Sequence, residues 1–229
     1  MQACRLSVTD LACRRGDRLL FAGLTFDLEP GMALQVGGAN GIGKSSLLRI
    51  LAGLLPPFGG TVVSSGGLGL IDERPALDPQ LSLGQALGFW AEIDGLGLLA
   101  RESCAERMGL GDLLDIPVRY LSTGQKKRAA LARLLGQQVP IWLLDEPLNG
   151  LDTAGIALVE GLAAEHCKAG GIAVIASHQP FALAGMARIE LRDFTPPLQG
   201  RGRGWGLSEQ NSSNNNPHPN PSPKEEGLS

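Results

Sequence analysis

Val36 to Ser46 reads VGGANGIGKSS, and within it Gly38 to Ser45 fit the pattern G-x-x-x-x-G-K-[ST] of a phosphate-binding loop. The flanks supply the context such a loop needs. Met32 to Val36 alternates in the manner of a short buried strand, and Lys44 to Leu55 (KSSLLRILAGLL) spaces its apolar residues as a helix does. Gly38, Gly41 and Gly43 reach dihedrals closed to other residues, so successive N–H groups can approach phosphate oxygens with no Cβ in the way. The following helix aims the positive end of its dipole, roughly half an elementary charge, at the same anion. Lys44 adds a full charge near the β- and γ-phosphates, and Ser45 a hydroxyl for Mg²⁺.

Composition sets the frame for this loop. A chain of 229 residues that is 43% hydrophobic has room for one large α/β domain or two small ones around a real core. The formal net charge of −3 excludes a generally basic surface, so no nucleic-acid partner is expected. Apolar runs are interrupted well before about 18 residues, the length of a spanning helix, and the chain is not expected to cross a membrane by itself. The N-terminus MQACRLSVTDLACRRGD has no continuous apolar core, which argues against secretion and makes the cytoplasm the expected compartment. Cys4, Cys13, Cys104 and Cys167 form no C-x-x-C pair and the three His are dispersed, so no zinc site is expected. His166 and Cys167 are neighbours on a helical run, point to different faces, and read as ordinary surface and core residues.

Outward from the loop, Cys4 to Leu11 and Leu24 to Leu28 read as short strands separated by the charged turn CRRGDR. Pro56 and Pro57 stop the loop helix, and Thr61 to Val63 and Leu68 to Ile71 are brief strands. From Leu81 to about Tyr120, Leu- and Ala-rich segments broken by Gly88, Gly95, Gly97, Gly109 and Gly111 read as a small helical insertion. LSTGQKKR (Leu121 to Arg128) then opens a helix with Ala and Leu on one face. IWLLDEP follows Pro140 as a buried parallel strand whose carboxyl end reaches a site at Asp145 and Glu146. Gly155 to Lys168 is helical, and Ile172 to Ala176 is a second buried strand, ending in Ser177 and His178. From about Thr195 the chain is rich in Pro, Gly, Asn and Ser and nearly without aliphatics, so disorder is expected there.

Taken singly, LSTGQ reads as an N-cap and turn, LLDE as a strand end and His178 as a loop histidine. Their order and spacing change this. A phosphate loop, then LSTGQ, then an apolar strand ending in DE, then NGLD, then a strand ending in His resembles the ATP-binding cassette family over nearly all of residues 4 to 192. The resemblance implies an α/β P-loop NTPase core with an N-terminal antiparallel β subdomain and a small helical subdomain at about 81–124. The domain would span 1–194, followed by a low-complexity tail. It implies ATP and Mg²⁺ as ligands, and ATP hydrolysis as the activity. Gly38, Ala39, Asn40, Gly41, Ile42, Gly43, Lys44, Ser45 and Ser46 would cradle the phosphates, and Ser45 and Asp145 would hold the metal. Glu146 would deprotonate the attacking water, a task worth about 10² to 10⁴ in rate; His178 would contact the γ-phosphate and hold Glu146, and Lys44 would stabilise the transferring group. Leu121, Ser122, Gly124 and Gln125 would cover ATP bound to a second copy, giving a head-to-tail homodimer crossed by Asn149 to Asp152.

Two positions depart from the family pattern. Asp72, Glu73 and Arg74 stand where the family has a Gln that touches Mg²⁺ and the membrane partner, and Gln80 and Gln85 lie too far along. Cys13, Arg14 and Arg15 stand where an aromatic residue stacks on adenine; a guanidinium also stacks on a base, so Arg14 or Arg15 is the expected substitute. The longer combination from Leu11 to Val62, with LSTGQKKRAALARLL and SHQPF, is similar to the branch of the family formed by ATPase subunits of haem exporters in bacterial cytochrome c maturation. That likeness implies integral membrane subunits as partners, a peripheral place on the cytoplasmic face of the inner membrane, and no direct contact of this chain with haem. A drug or lipid exporter ATPase and a weakly hydrolysing nucleotide-dependent binding module are the alternatives. The missing N-K-x-D motif excludes a GTPase, and the absence of paired cassettes or a long coiled-coil insertion argues against a soluble translation or repair protein.

Overall fold

The computed structural model describes residues 4–73, 75–95 and 97–195, the last without the side chains of 98–101. The expectations for the tail beyond 195 and for Arg74 fall outside these residues. In chain order the elements are β1 (Arg5–Arg15), β2 (Arg18–Leu28), β3 (Ala33–Gly37), α1 (Lys44–Leu51), β4 (Gly59–Ser65), β5 (Leu68–Ile71), α2 (Leu83–Ile93), α3 (Leu98–Arg107), α4 (Thr123–Gln137), β6 (Ile141–Asp145), α5 (Thr153–Lys168), β7 (Ile172–Ala176) and β8 (Ala187–Glu190).

The chain begins with an antiparallel hairpin. Arg15 pairs with Arg18, which leaves Gly16 and Asp17 as a two-residue loop with Gly16 at φ 58°, the left-handed geometry such tight loops demand. Because the loop needs only two residues, the flanking arginines continue the ladder, and both strands are longer than their apolar runs predicted. After α1 the chain returns as β4 to the free edge of β1, giving a three-stranded sheet in the order β2-β1-β4.

The second sheet is wholly parallel, in the order β5-β6-β7-β3-β8. Its central runs ALQVG, IWLLD and IAVIA are buried along their whole length, as strands covered on both faces must be. The two-residue side-chain period divides them. Ile141, Leu143 and Val174 join α1 and the antiparallel sheet in one core, whereas Trp142, Leu144, Ala173 and Ile175 join α4 and α5 in another.

Three further details differ from the sequence reading. Gly88 lies inside α2, which starts at a capping box of Ser82 and Gln85 and buries Leu83, Ala86, Leu87 and Ala91, so an interior Gly costing about 1 kcal/mol is tolerated. α1 ends at Leu51 rather than Leu55, because Gly53 at φ 72° turns the chain out of the helix. β8 was not foreseen at all. It is a four-residue edge strand with no buried position and an Arg188–Glu190 ion pair, so it carries no apolar signal.

Register positions the functional end of this sheet. Val36 of β3 and Asp145 of β6 both pair with Ala176 of the strand between them, so the loops after all three strands leave along one line. The opposite end is tied by His166. Its ring stacks on Trp142 at 3.9 Å between centroids, and its Nε2–H donates to the carbonyls of Pro140 at 3.1 Å and Ile172 at 3.3 Å, where β6 and β7 begin. Burial holds the imidazole below its ordinary value near 6.5, outweighing the two carbonyls that favour the cation. A histidine held neutral contributes stability that is present in full above the unfolded value and is lost as pH falls through and below it. Thermal unfolding between about pH 7.5 and 5.5 is expected to show a steeper loss for the natural chain than for His166→Gln; parallel curves would count against this role.

Candidate functional site

β3 delivers the loop of residues 38–43, and α1 begins at Lys44 with Gly43 as an N-cap that makes no side-chain bond. The first-turn N–H groups therefore have no capping acceptor, and the positive end of the dipole is unshielded. Gly38, Gly41 and Gly43 have φ of 139°, 77° and 121°. At Gly43 the constraint is double: a Cβ there would lie 3.2 Å from Phe21 Cδ1 and 3.3 Å from Leu20 Cβ.

The Lys44 ammonium lies within the bend of the loop, 6% exposed. It donates to the carbonyls of Gly38 at 2.8 Å and Ala39 at 3.4 Å, and pairs with Glu146 Oε1 at 3.3 Å. The N–H of Ile42 donates back to Ala39 at 3.4 Å, closing the loop on itself. Gly38, Ala39 and Ile42 thus shape the cradle, while Asn40, Gly41, Gly43, Lys44, Ser45 and Ser46 line a cleft of about 400 Å³ with Asp145, Glu146 and His178.

Asp145 ends β6 at 2% exposure, and its Oδ1 has no partner. Burial pushes this carboxyl above its ordinary range, the neighbouring Ser45 hydroxyl pulls it back, and the carboxylates of Asp72 and Glu146 push it further up. A buried orphan carboxylate oxygen beside a hydroxyl fits a divalent cation. Among the described residues no group of three or more His, Cys, Asp and Glu could hold a metal, so Ser45 and Asp145 by themselves would supply only part of the shell of such an ion. Lys127 of α4, also buried, donates to the main-chain carbonyl of Asp145 at 3.2 Å; burial lowers its pKa, against the pull of Asp145, Glu146, Glu73 and Asp72.

Glu146 carries on from the strand in a left-handed conformation, φ 45°, a geometry that costs a non-glycine residue about 1–2 kcal/mol. Its N–H still donates to the Ala176 carbonyl at 2.8 Å, so the main chain stays in the sheet while the backbone twist redirects the side chain. His178 Nδ1 lies 2.9 Å from Glu146 Oε2. Lys44, Glu146 and His178 form one connected line along the cleft.

Arg15 and Leu20, either side of the hairpin turn, also line the cleft, as do Glu73 and Asn149. This separates the two candidate arginines, because Arg14 places its guanidinium 4.5 Å from the centre of the Phe58 ring. Asp72 is occupied by Arg49 at 2.7 Å, leaving Glu73 as the acidic residue that faces the site from this loop. Sequence reasoning missed Leu20 and Lys127. The signal for the lysine was a cation on the face of α4 that otherwise carries Ala and Leu.

Leu121, Ser122, Gly124 and Gln125 are brought together with one another but do not line this cleft. Leu121 is buried in the core. Ser122 caps α4: its hydroxyl accepts from Gln125 N–H at 3.2 Å, and its N–H donates to Gln125 Oε1 at 2.8 Å. Gly124 packs so closely on the Asn149–Asp152 loop that a Cβ would lie 2.6 Å from the Gly150 carbonyl oxygen.

The comparisons with known proteins agree with this architecture. The ABC transporter family model matches residues 21–149. The chain is 55% identical to the cytochrome c biogenesis ATP-binding export protein CcmA of Novosphingobium aromaticivorans over 86% of this chain and the whole of that protein. It is 48% identical to the CcmA of Zymomonas mobilis over 83% of this chain and 86% of that one. Among solved structures it is similar to cbiO1 from Clostridium perfringens, part of the ABC transporter complex cbiONQ, with a TM-score of 0.63, 28% identity and coverage of 76% and 78% of the two chains.

The Gly124 contact is testable by itself. Gly124→Ala is expected to destabilise the fold by about 1–3 kcal/mol through overpacking against main chain, read as a lowered thermal midpoint. An unchanged midpoint would mean that the 149–152 loop yields freely.

Proposed function

Because this chain belongs to the ABC transporter family, we propose that it is the ATP-hydrolysing subunit of an export system for cytochrome c biogenesis, in which hydrolysis drives haem export. One observation carries the chemistry: a buried lysine, a strained glutamate and a histidine are joined in sequence across the mouth of a phosphate loop. The system in which that chemistry is used is supported by the likeness to cytochrome c biogenesis export proteins that match this chain along most of its length.

In this reading the loop N–H groups, the α1 dipole and Lys44 hold the β- and γ-phosphates. Glu146, released from Lys44 as the phosphates take over the ammonium, accepts a proton from water. The water oxygen bonds to the γ-phosphorus, the bond to the bridging oxygen breaks, and ADP and phosphate leave. His178 keeps Glu146 in line through Nδ1. Ser45 and Asp145 would hold Mg²⁺, which when bound would neutralise phosphate charge. Arg15 and Leu20 offer a cationic and an apolar surface to the base.

We assign Ser122, Gly124 and the start of α4 to the ATP of a second copy, since they lie away from the cleft of their own chain. The resulting homodimer works with integral membrane subunits on the cytoplasmic face of the inner membrane, and this chain itself does not touch haem. Among the described residues no helix is long and apolar enough to cross a membrane.

Glu146→Gln is expected to lower ATP hydrolysis at least about a hundredfold, the scale of a lost general base, with ATP affinity retained; undiminished turnover would reassign the base. Tagged full-length chain purified from detergent-solubilised membranes is expected to bring integral membrane proteins with it. Recovery of soluble partners alone would overturn the export reading.

A further inference from the structure

We propose that Gln35 is a positioning residue for the hydrolytic reaction, holding the turn that aims His178 at Glu146. The proposal rests on the hydrolytic reading given above. Gln35 stands in the middle of β3, an interior strand whose neighbouring positions Ala33, Leu34 and Val36 are apolar, and it is 3% exposed. An amide in such a place is costly unless it is bonded. Its Nε2 donates to the main-chain carbonyl of Gln179 at 2.7 Å.

That bond falls where the sheet stops guiding the chain. The N–H of Ser177 donates to the Val36 carbonyl at 3.2 Å, and β7 has already ended at Ala176. The N–H of Gln179 donates to the buried Ser177 hydroxyl at 3.0 Å. Residues 177–179 are thus pinned to β3 twice, once by main chain at Val36 and once by the Gln35 side chain, with His178 between the two pins. The His178 side chain is itself 44% exposed, so packing does little to hold the ring, and its 2.9 Å approach to Glu146 depends on where the main chain puts it. Packing alone would be served as well by an apolar residue at position 35, as at its neighbours. The amide adds direction to the turn, and among the described residues no main-chain hydrogen bond ties Gln179 to the sheet.

The test is a double-mutant cycle of ATP turnover in the full-length chain. Gln35→Met is expected to lower kcat about tenfold with KM for ATP held within about a factor of two, the pattern of a misplaced catalytic group. In a His178→Ala chain the same substitution should change kcat by less than about twofold, because nothing is left to position. Gln35→Glu keeps the length but loses the donor, and is read in the same cycle should the methionine variant fail to fold. Equal losses in both backgrounds, or a lowered thermal midpoint with kcat intact, would make Gln35 a structural residue only and overturn the proposal. A His178→Ala chain that turns over at the natural rate would overturn it as well, while a collapse of turnover in Glu146→Gln would leave the hydrolytic reading standing.

Discussion

The ion pair between Lys44 and Glu146 is the interaction on which the rest of the site depends. Both groups are largely withdrawn from water, at 6% and 15% exposure, and burying a charge costs several kcal/mol unless something compensates it. The loop meets this cost on one side by turning the Gly38 and Ala39 carbonyls onto the ammonium. The far side is met by His178 on the second carboxylate oxygen. The pair neutralises itself in the absence of an anion, and a triphosphate competes for the same ammonium. In the proposed mechanism, phosphate binding and release of the Glu146 carboxylate would then be one event.

Such an arrangement requires that segments distant in sequence end within a few ångströms of one another. Parallel register accomplishes this, with Val36 and Asp145 both matched to Ala176. The strain at Glu146 and the double constraint at Gly43 are local consequences: the backbone leaves the sheet abruptly because its side chains must converge at the strand ends. Core packing on both faces of the sheet, each buried leucine contributing about 1.5–3 kcal/mol, is large enough to hold these unfavourable conformations in place.

Much of this was legible beforehand. The glycine spacing from Gly38 to Gly43 marked the cradle, the abrupt change from IWLL to Asp145 and Glu146 marked a strand reaching a site, and the same logic found His178. Elsewhere the apolar pattern was silent. β8 has no buried position to announce it, and the hairpin strands continue through exposed arginines up to a two-residue turn. Gln85, too far along the chain to stand for the Gln that the family pattern has after β5, is the return half of a helix cap.

The order of residues along the chain determined by itself the phosphate loop, the helix it opens, the buried parallel strands and the acidic and histidine residues at their ends, because each is a local pattern of size, polarity and spacing. Only the tertiary structure decided which neighbour faces the cleft, Arg15 rather than Arg14 and Glu73 rather than Asp72, and which buried polar groups, Lys127 and Gln35, bond to main chain at the carboxyl end of the sheet. Periodicity reports the face on which a side chain stands. What that side chain meets there depends on strands and helices brought alongside from elsewhere in the chain, which no local pattern records.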